Sequence, residues 1–440
     1  MHTDYLAPVA STLGILVIVL LTIRFRWHPF VAMFFAAVGI GLASGLQPAE
    51  IAECVTSGFG KTLGYSGIVV VCGFIIGEFL KNTGGAQAIS QSVLSVVGVS
   101  RAPLAVGITG YLLAIPVMCC DTAFIVLSPV VEGLASGLKV PLQTLSLALA
   151  VGTYTAFKMI PLSPGPLAVV SGYGADFGRV LALGFAASIP VFAAGYIWIR
   201  RFGRSGSGAA ARVPVATPDA PAIVSGAFSA FLSVGTPVVL IILRAVADSV
   251  LPAQDRLRAW VDFLGNPAIA LPLGVGLMML MYRRIGMDVL AGWISSASSR
   301  CGSIMIIVGA GGILGAVLQS SGLGDYLGQL MAGLHIPGLL VPFLLAMALK
   351  STQGSSLVTM LTTAALVAPI LPGLGISREI AVLATCAGSM AVVHVNDSFF
   401  WVVTRFADMD VPSGYRSLTL QTLVQSVVAL AVTLALSMFM

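Results

Sequence analysis

The chain has 440 residues, of which 58% are hydrophobic and 9% charged, with a formal net charge of +5 and a mean hydropathy of +1.01. A soluble domain carries about 25% charged residues, so a water-soluble globular fold is excluded, and a slight cationic excess in such a chain reports loop orientation rather than nucleic-acid binding. The six cysteines, at 54, 72, 119, 120, 301 and 386, have neither metal-ligand nor disulfide-framework spacing and read as small packing residues.

Apolar runs of roughly the length that crosses a hydrocarbon core recur along the chain. In order they cover 8–23, 29–46, 63–80, 102–118, 120–137, 142–160, 180–199, 225–247, 267–282, 302–319, 337–349, 355–372, 380–394 and 417–439. They predict an all-α polytopic membrane protein with about 12–14 transmembrane or re-entrant segments. The first run lacks the basic flank and cleavage site of a signal peptide and is expected to remain as a membrane helix. The basic groups Arg24/Arg26/His28, Lys81/Arg101, Arg200/Arg201/Arg204/Arg212, Arg283/Arg284 and Arg405 are separated by even numbers of runs. That places them in the cytoplasm and both termini outside. Residues 203–222 are rich in Gly, Ser, Ala and Pro and read as a cytoplasmic linker between membrane halves 1–202 and 223–440. Asp255–Asp262 reads as a short amphipathic interfacial helix with Trp260 as its anchor.

The halves share a pattern. Gly77, Leu80, Thr83 and Gly84 match Gly315, Leu318, Ser321 and Gly322, and Leu112-Leu113-Ala114 matches Leu344-Leu345-Ala346. The runs holding the first set of matches cross in opposite directions, which predicts two inverted repeats. Each half then carries two polar interruptions within apolar surroundings. In the first half these are Pro116–Thr122, containing Asp121 and Thr122, and Lys158–Pro166, containing Ser163 and Gly165. In the second they are Lys350–Ser356, with Lys350, Gly354 and Ser355, and His394–Asp397, with Asn396 between. Irregular backbone at membrane depth must line a cavity or be buried in protein, and broken helices there offer N–H groups to anions.

The roles read from these residues stay open at several positions. Asp121 is a candidate proton carrier or a helix N-cap. Lys158 pairs with a substrate carboxylate or snorkels to the interface. Lys350 leads five hydroxyl and amide residues and is the best anion-recognition candidate. His394, Asn396 and Asp397 combine donors, acceptors and titratable groups, and the alternative is a satisfied cap above Phe399-Phe400-Trp401. Glu78 with Lys81 reads as a helix-end pair.

At these interruptions the sequence resembles the gluconate:proton symporter family of the ion-transporter superfamily, from about Gly58 to the C-terminus. His394-Val395-Asn396-Asp397 with Phe400-Trp401 is similar to the family's HVND-x-x-FW signature. Pro164-Gly165-Pro166-Leu167-Ala168 resembles its HPGPTA, and Gly354-Ser355-Ser356 its GSATVA. Three positions depart from the pattern. Ser163 replaces a His, Lys350 an Arg, and Asp121 a Glu, so a bidentate fork becomes a point charge. The resemblance implies an inverted-repeat fold and proton-coupled uptake of gluconate, related sugar acids, glycerate-type acids or D-serine.

The expected protein is therefore a secondary transporter of a bacterial-type inner membrane, importing a small hydroxylated carboxylate. Lys350 and the amides near Ser163–Pro166 hold the carboxylate; Ser163, Ser355 and Asn396 bond hydroxyls; Asp121 with Asp397 or His394 carries the coupling proton. No cofactor is expected, the coupling ion being H+ or alternatively Na+. The expected partners are the anionic small molecule and membrane lipid, with a homodimer one assembly the sequence allows. A membrane enzyme using His394 with Asp397 or Asp121, and an ion channel, are the rival classes.

Overall fold

The computed structural model describes residues 27–98, 101–138, 140–202, 227–250, 255–282, 285–321, 337–395 and 397–439, together with Val17, Leu21 and Phe25. Span 8–23, linker 203–222, Arg283, Arg284 and Asn396 therefore lie in whole or in large part outside the described residues. Within them the chain is helical and has no strand.

The first half is α1 (Pro29–Ala43), α2 (Pro48–Asn82), α3 (Gly85–Val97), α4 (Ala102–Val117), α5 (Cys120–Leu138), α6 (Leu142–Met159), α7 (Pro164–Tyr173) and α8 (Phe177–Phe202). After α9 (Ala227–Val250), α10 (Arg256–Leu264) and α11 (Pro267–Met281) come α12 (Met287–Ser320), α13 (Leu340–Gln353), α14 (Ser356–Val367), α15 (Arg378–Ser389) and α16 (Ser398–Phe406). The last helix, α17, covers Val411–Ser437. The element order of the two halves recurs: a long helix (α2, α12), two broken pairs (α4/α5 with α6/α7, α13/α14 with α15/α16), then a closing helix (α8, α17).

Length and hydropathy make three stretches single spans: Leu142–Tyr173, Phe177–Phe202 and Val411–Ser437. The first of these is α6 plus α7, so its polar interruption sits inside a spanning element. Helices α10 and α11 meet at 65°, and α10, capped by Asp255, has no buried residue and exposes Trp260, as expected for an interfacial helix.

Each break has a local cause. Helix α4 ends at Met118, which adopts φ 55°, a conformation disfavoured for a residue with a Cβ. Helix α6 stops before Pro161, because a proline there cannot continue the amide ladder. Helix α13 ends at Gly354, with φ 73°, where glycine pays no steric penalty. Helix α15 ends at Ser389, so run 380–394 is a shorter helix than the sequence predicts and residues 390–395 are irregular. Helices α3, α7 and α16 are additional to the predicted runs; α7 opens inside the polar interruption, since Pro164 at its first position is pre-organised for a helix start.

The helices before the breaks pack at glycine. A Cβ on Gly152 of α6 would lie 1.9 Å from the Gly107 carbonyl oxygen of α4. A Cβ on Gly388 of α15 would lie 2.2 Å from Phe343 O of α13. The long helices α2 and α12 meet in the same way, with Gly58 against Gly312 O at 2.5 Å. Absent side chains thus let backbones touch, the usual means of close packing where lipid supplies no hydrophobic drive.

Candidate functional site

The four breaks meet at one cavity of about 410 Å³. Its wall contains Met118–Asp121 at the start of α5, Pro164 at the start of α7, Gly354–Leu357 at the start of α14, and Asp397 with Ser398 at the start of α16. Four helix N-termini therefore face one space. The first amides of a helix have no partner inside it, and the macrodipole makes each such end positive.

The amide supply differs between ends. In α7, prolines at 164 and 166 carry no N–H, and the Leu167 amide donates to Ser163 O at 3.1 Å, so Gly165 holds the one amide of the first turn that is free of its own helix. In α14, Ser355 Oγ accepts from the Val358 amide at 3.4 Å, and the amides of Ser356 and Leu357 remain at the wall. Asp397 Oδ1 caps α16 by accepting from the Phe399 amide at 2.9 Å.

The charges are arranged behind and beside this wall. Lys350 and Lys158 are both 0% exposed. Lys350 Nζ donates to Asp397 Oδ2 and to the Gly354 carbonyl. Lys158 Nζ donates to Ser389 O at 2.7 Å and lies 5.0 Å above the Tyr154 ring. Lys158 is therefore a buried partner of the α15 terminus, and the snorkelling alternative is set aside. Asp121 lies in the first turn of α5, after the cap position, and its Oδ2 accepts from Ser398 Oγ at 2.6 Å. It links the two halves of the chain rather than capping its helix.

The remaining predicted residues that are described surround the cavity without lining it. The Ser163 hydroxyl donates to Phe157 O and Ile160 O and closes the end of α6. His394 Nε2 donates to Ser351 O at 2.9 Å, tying the two breaks of the second half together. Thr122 and Gly165 sit next to lining residues. Glu78 and Lys81 are paired at 4.0 Å as expected, away from the site.

Sequence reading missed a polar stripe on α17. Thr419 Oγ1 donates to Val393 O, Thr422 Oγ1 accepts from the Val393 amide at 3.3 Å, and Ser426 Oγ donates to Ala387 O at 2.7 Å. Gln425 Nε2 donates to Thr155 Oγ1 of α6 at 2.7 Å. The Thr419, Thr422 and Ser426 hydroxyls bond backbone at and after the end of α15, and Gln425 ties α17 to α6. Their signal was present as polar residues three and four apart on one face of an apolar helix. Tyr154 adds to the brace: its ring stacks on Phe399 at 5.5 Å and its hydroxyl donates to Met390 O at 3.3 Å. Tyr154→Phe keeps the stack and removes the bond, so a loss of about 1 kcal/mol is expected in a detergent melt; an unchanged melt would show that this bond contributes nothing.

Residues 7–439 match the sequence model of the GntP family permease. A gluconate permease of Pseudomonas aeruginosa is 32% identical over 446 residues, 99% of this chain and 98% of that protein. The inner membrane permease YgbN of Escherichia coli is 28% identical, covering 93% of each chain. In three dimensions the chain is similar to the YdaH transporter of Alcanivorax borkumensis, with a TM-score of 0.66 at 15% identity over 93% of this chain and 97% of that one.

Proposed function

Because the chain belongs to the GntP family of permeases, and is a multi-pass membrane transporter rather than an enzyme, we propose that it imports a small hydroxylated carboxylate, gluconate or a related sugar acid, together with a proton across a bacterial inner membrane. The observation that carries this reading is the convergence of four helix N-termini on one cavity, an arrangement suited to an anion with several oxygens.

Charge balance supports the proton. The described site holds two ammonium groups, Lys158 and Lys350, and two carboxylates, Asp121 and Asp397, so its formal charges cancel. A substrate carboxylate leaves one negative charge in excess, and an uncompensated charge in a buried site is expensive. One proton restores the balance. Asp397 is its natural acceptor, since Asp397 and the substrate compete for the Lys350 ammonium. Protonated Asp397 releases Lys350 to the substrate, while Ser398 and the amides of Ser356 and Leu357 bond the remaining oxygens. Asp121, bonded to Ser398, senses the same event from the first half. The recurring element order supports reading the halves as inverted repeats joined by residues 203–222.

In proteoliposomes, an inward pH gradient alone is expected to drive concentrative [14C]gluconate uptake, and a protonophore to abolish it. Asp397→Asn is expected to remove the pH dependence. A requirement for a sodium gradient, with no response to pH, would replace the proton by sodium.

A further inference from the structure

A second cavity, of about 220 Å³, lies between α2, α7, α12 and α14. Its wall includes Lys61, Ser57, Ser171 and Gln319, and no carboxylate among the described lining residues. Lys61 stands near the middle of the 35-residue α2 and has no ion-pair partner among the described residues. Lys61 is exposed and stands just before a 44° bend of α2 between Gly64 and Gly67; a cation at a cavity mouth on a membrane helix is a candidate for a transport path.

Two helices are common to both cavities. On α7, Pro164 lines the first and Ala168 the second. On α14, Leu357 lines the first and Leu361 the second. Residues i and i+4 share one helix face, and four residues rise about 6 Å. The partition between the cavities is therefore one helical turn thick on both helices. Met360 of α14 occupies it, seated against α7 at Gly165, where a Cβ would lie 2.5 Å from Met360 Sδ. An unbranched, flexible side chain resting on a residue that has none is the easiest contact in the region to reorganise.

We propose that the second cavity is the opposite mouth of the same transport path, that Lys61 binds the substrate carboxylate there, and that Met360 on Gly165 forms the partition between the mouths. The identity of the ligand rests on the transport reading above; the placement of the mouths does not.

Thiol labelling with a membrane-impermeant maleimide, mapped by peptide mass spectrometry, tests the placement without any substrate. Native Cys119 lines the first cavity, and Ser171→Cys puts a thiol in the second. Cys119 is expected to react from one membrane face only and the introduced thiol from the other only, in right-side-out and inverted vesicles. Reaction of both from one face, or of the introduced thiol from neither, overturns the proposal. [14C]gluconate exchange then tests the ligand. Lys61→Gln is expected to slow it about tenfold and Lys61→Arg to retain it; an unaffected Lys61→Gln removes Lys61 from the path. Gly165→Val is expected to block exchange while both thiols keep their labelling pattern, which shows the fold intact. Exchange at the wild-type rate would refute the partition.

Discussion

Lys350→Met is expected to abolish uptake and to destabilise the protein by about 3–5 kcal/mol, the usual effect of leaving one partner of a buried pair behind. The abandoned group is Asp397, buried beside a lysine that is 0% exposed. Lys350 also holds the Gly354 carbonyl at the α13 terminus, so the backbone of that break loses a donor as well. The double variant Lys350→Met, Asp397→Asn removes the stranded charge, and asparagine still caps α16. It is expected to recover most of the melting temperature in detergent and none of the uptake. Separating the two readouts distinguishes a transport role for the pair from a structural one. Uptake near the wild-type rate in the single variant would take Lys350 out of the mechanism.

Gly152→Ala is the second large effect. The added carbon would sit 1.9 Å from Gly107 O, a backbone atom that no side-chain rotation can move. Helices α4 and α6 must separate. Overpacking ordinarily costs about 1–3 kcal/mol, and a rigid backbone contact belongs at or beyond the upper end. The displaced helix carries Tyr154 and Lys158, whose partners Met390 and Ser389 lie on α15 and the strand-free segment that follows it. Loss of both stability and uptake is expected. Gly133→Ala is the control: nothing lies within 4 Å of its added carbon, and in the helix α5 it is expected to stabilise by about 0.4–1 kcal/mol. Equal melts for the two variants would refute the packing argument.

The four breaks were legible because each is marked by residues with a backbone consequence. Pro116 precedes the first break, Pro161, Pro164 and Pro166 delete amides at the second, Gly354 permits a left-handed turn at the third, and Asp397 caps the helix after the fourth. What the chain order conceals is which way a side chain faces. Lys158 reads equally well toward lipid or protein until its acceptor, 231 residues away, is known. Ser163 reads as a ligand donor until its hydroxyl is found on the carbonyls just before it. Helices α3 and α16, of 13 and 9 residues, leave no membrane-length run in the sequence because neither is long enough to cross. Lys61 lies just outside the apolar run 63–80, although α2 carries it well inside the helix.

A broken helix is a pair of opposite poles brought face to face. Its carbonyl end is negative, its amide end positive, and across a gap of a few residues the two fields tend to cancel. Here three of the four negative poles are covered. Lys350 sits on the end of α13 at Gly354, Lys158 on the end of α15 at Ser389, and the Ser163 hydroxyl on the end of α6. The amide poles of α7 and α14 then act with no carboxylate on them, while Asp397 caps that of α16 and Asp121 sits in the first turn of α5. Two lysines placed behind the cavity wall thereby offset the carbonyl poles that would otherwise oppose those amides.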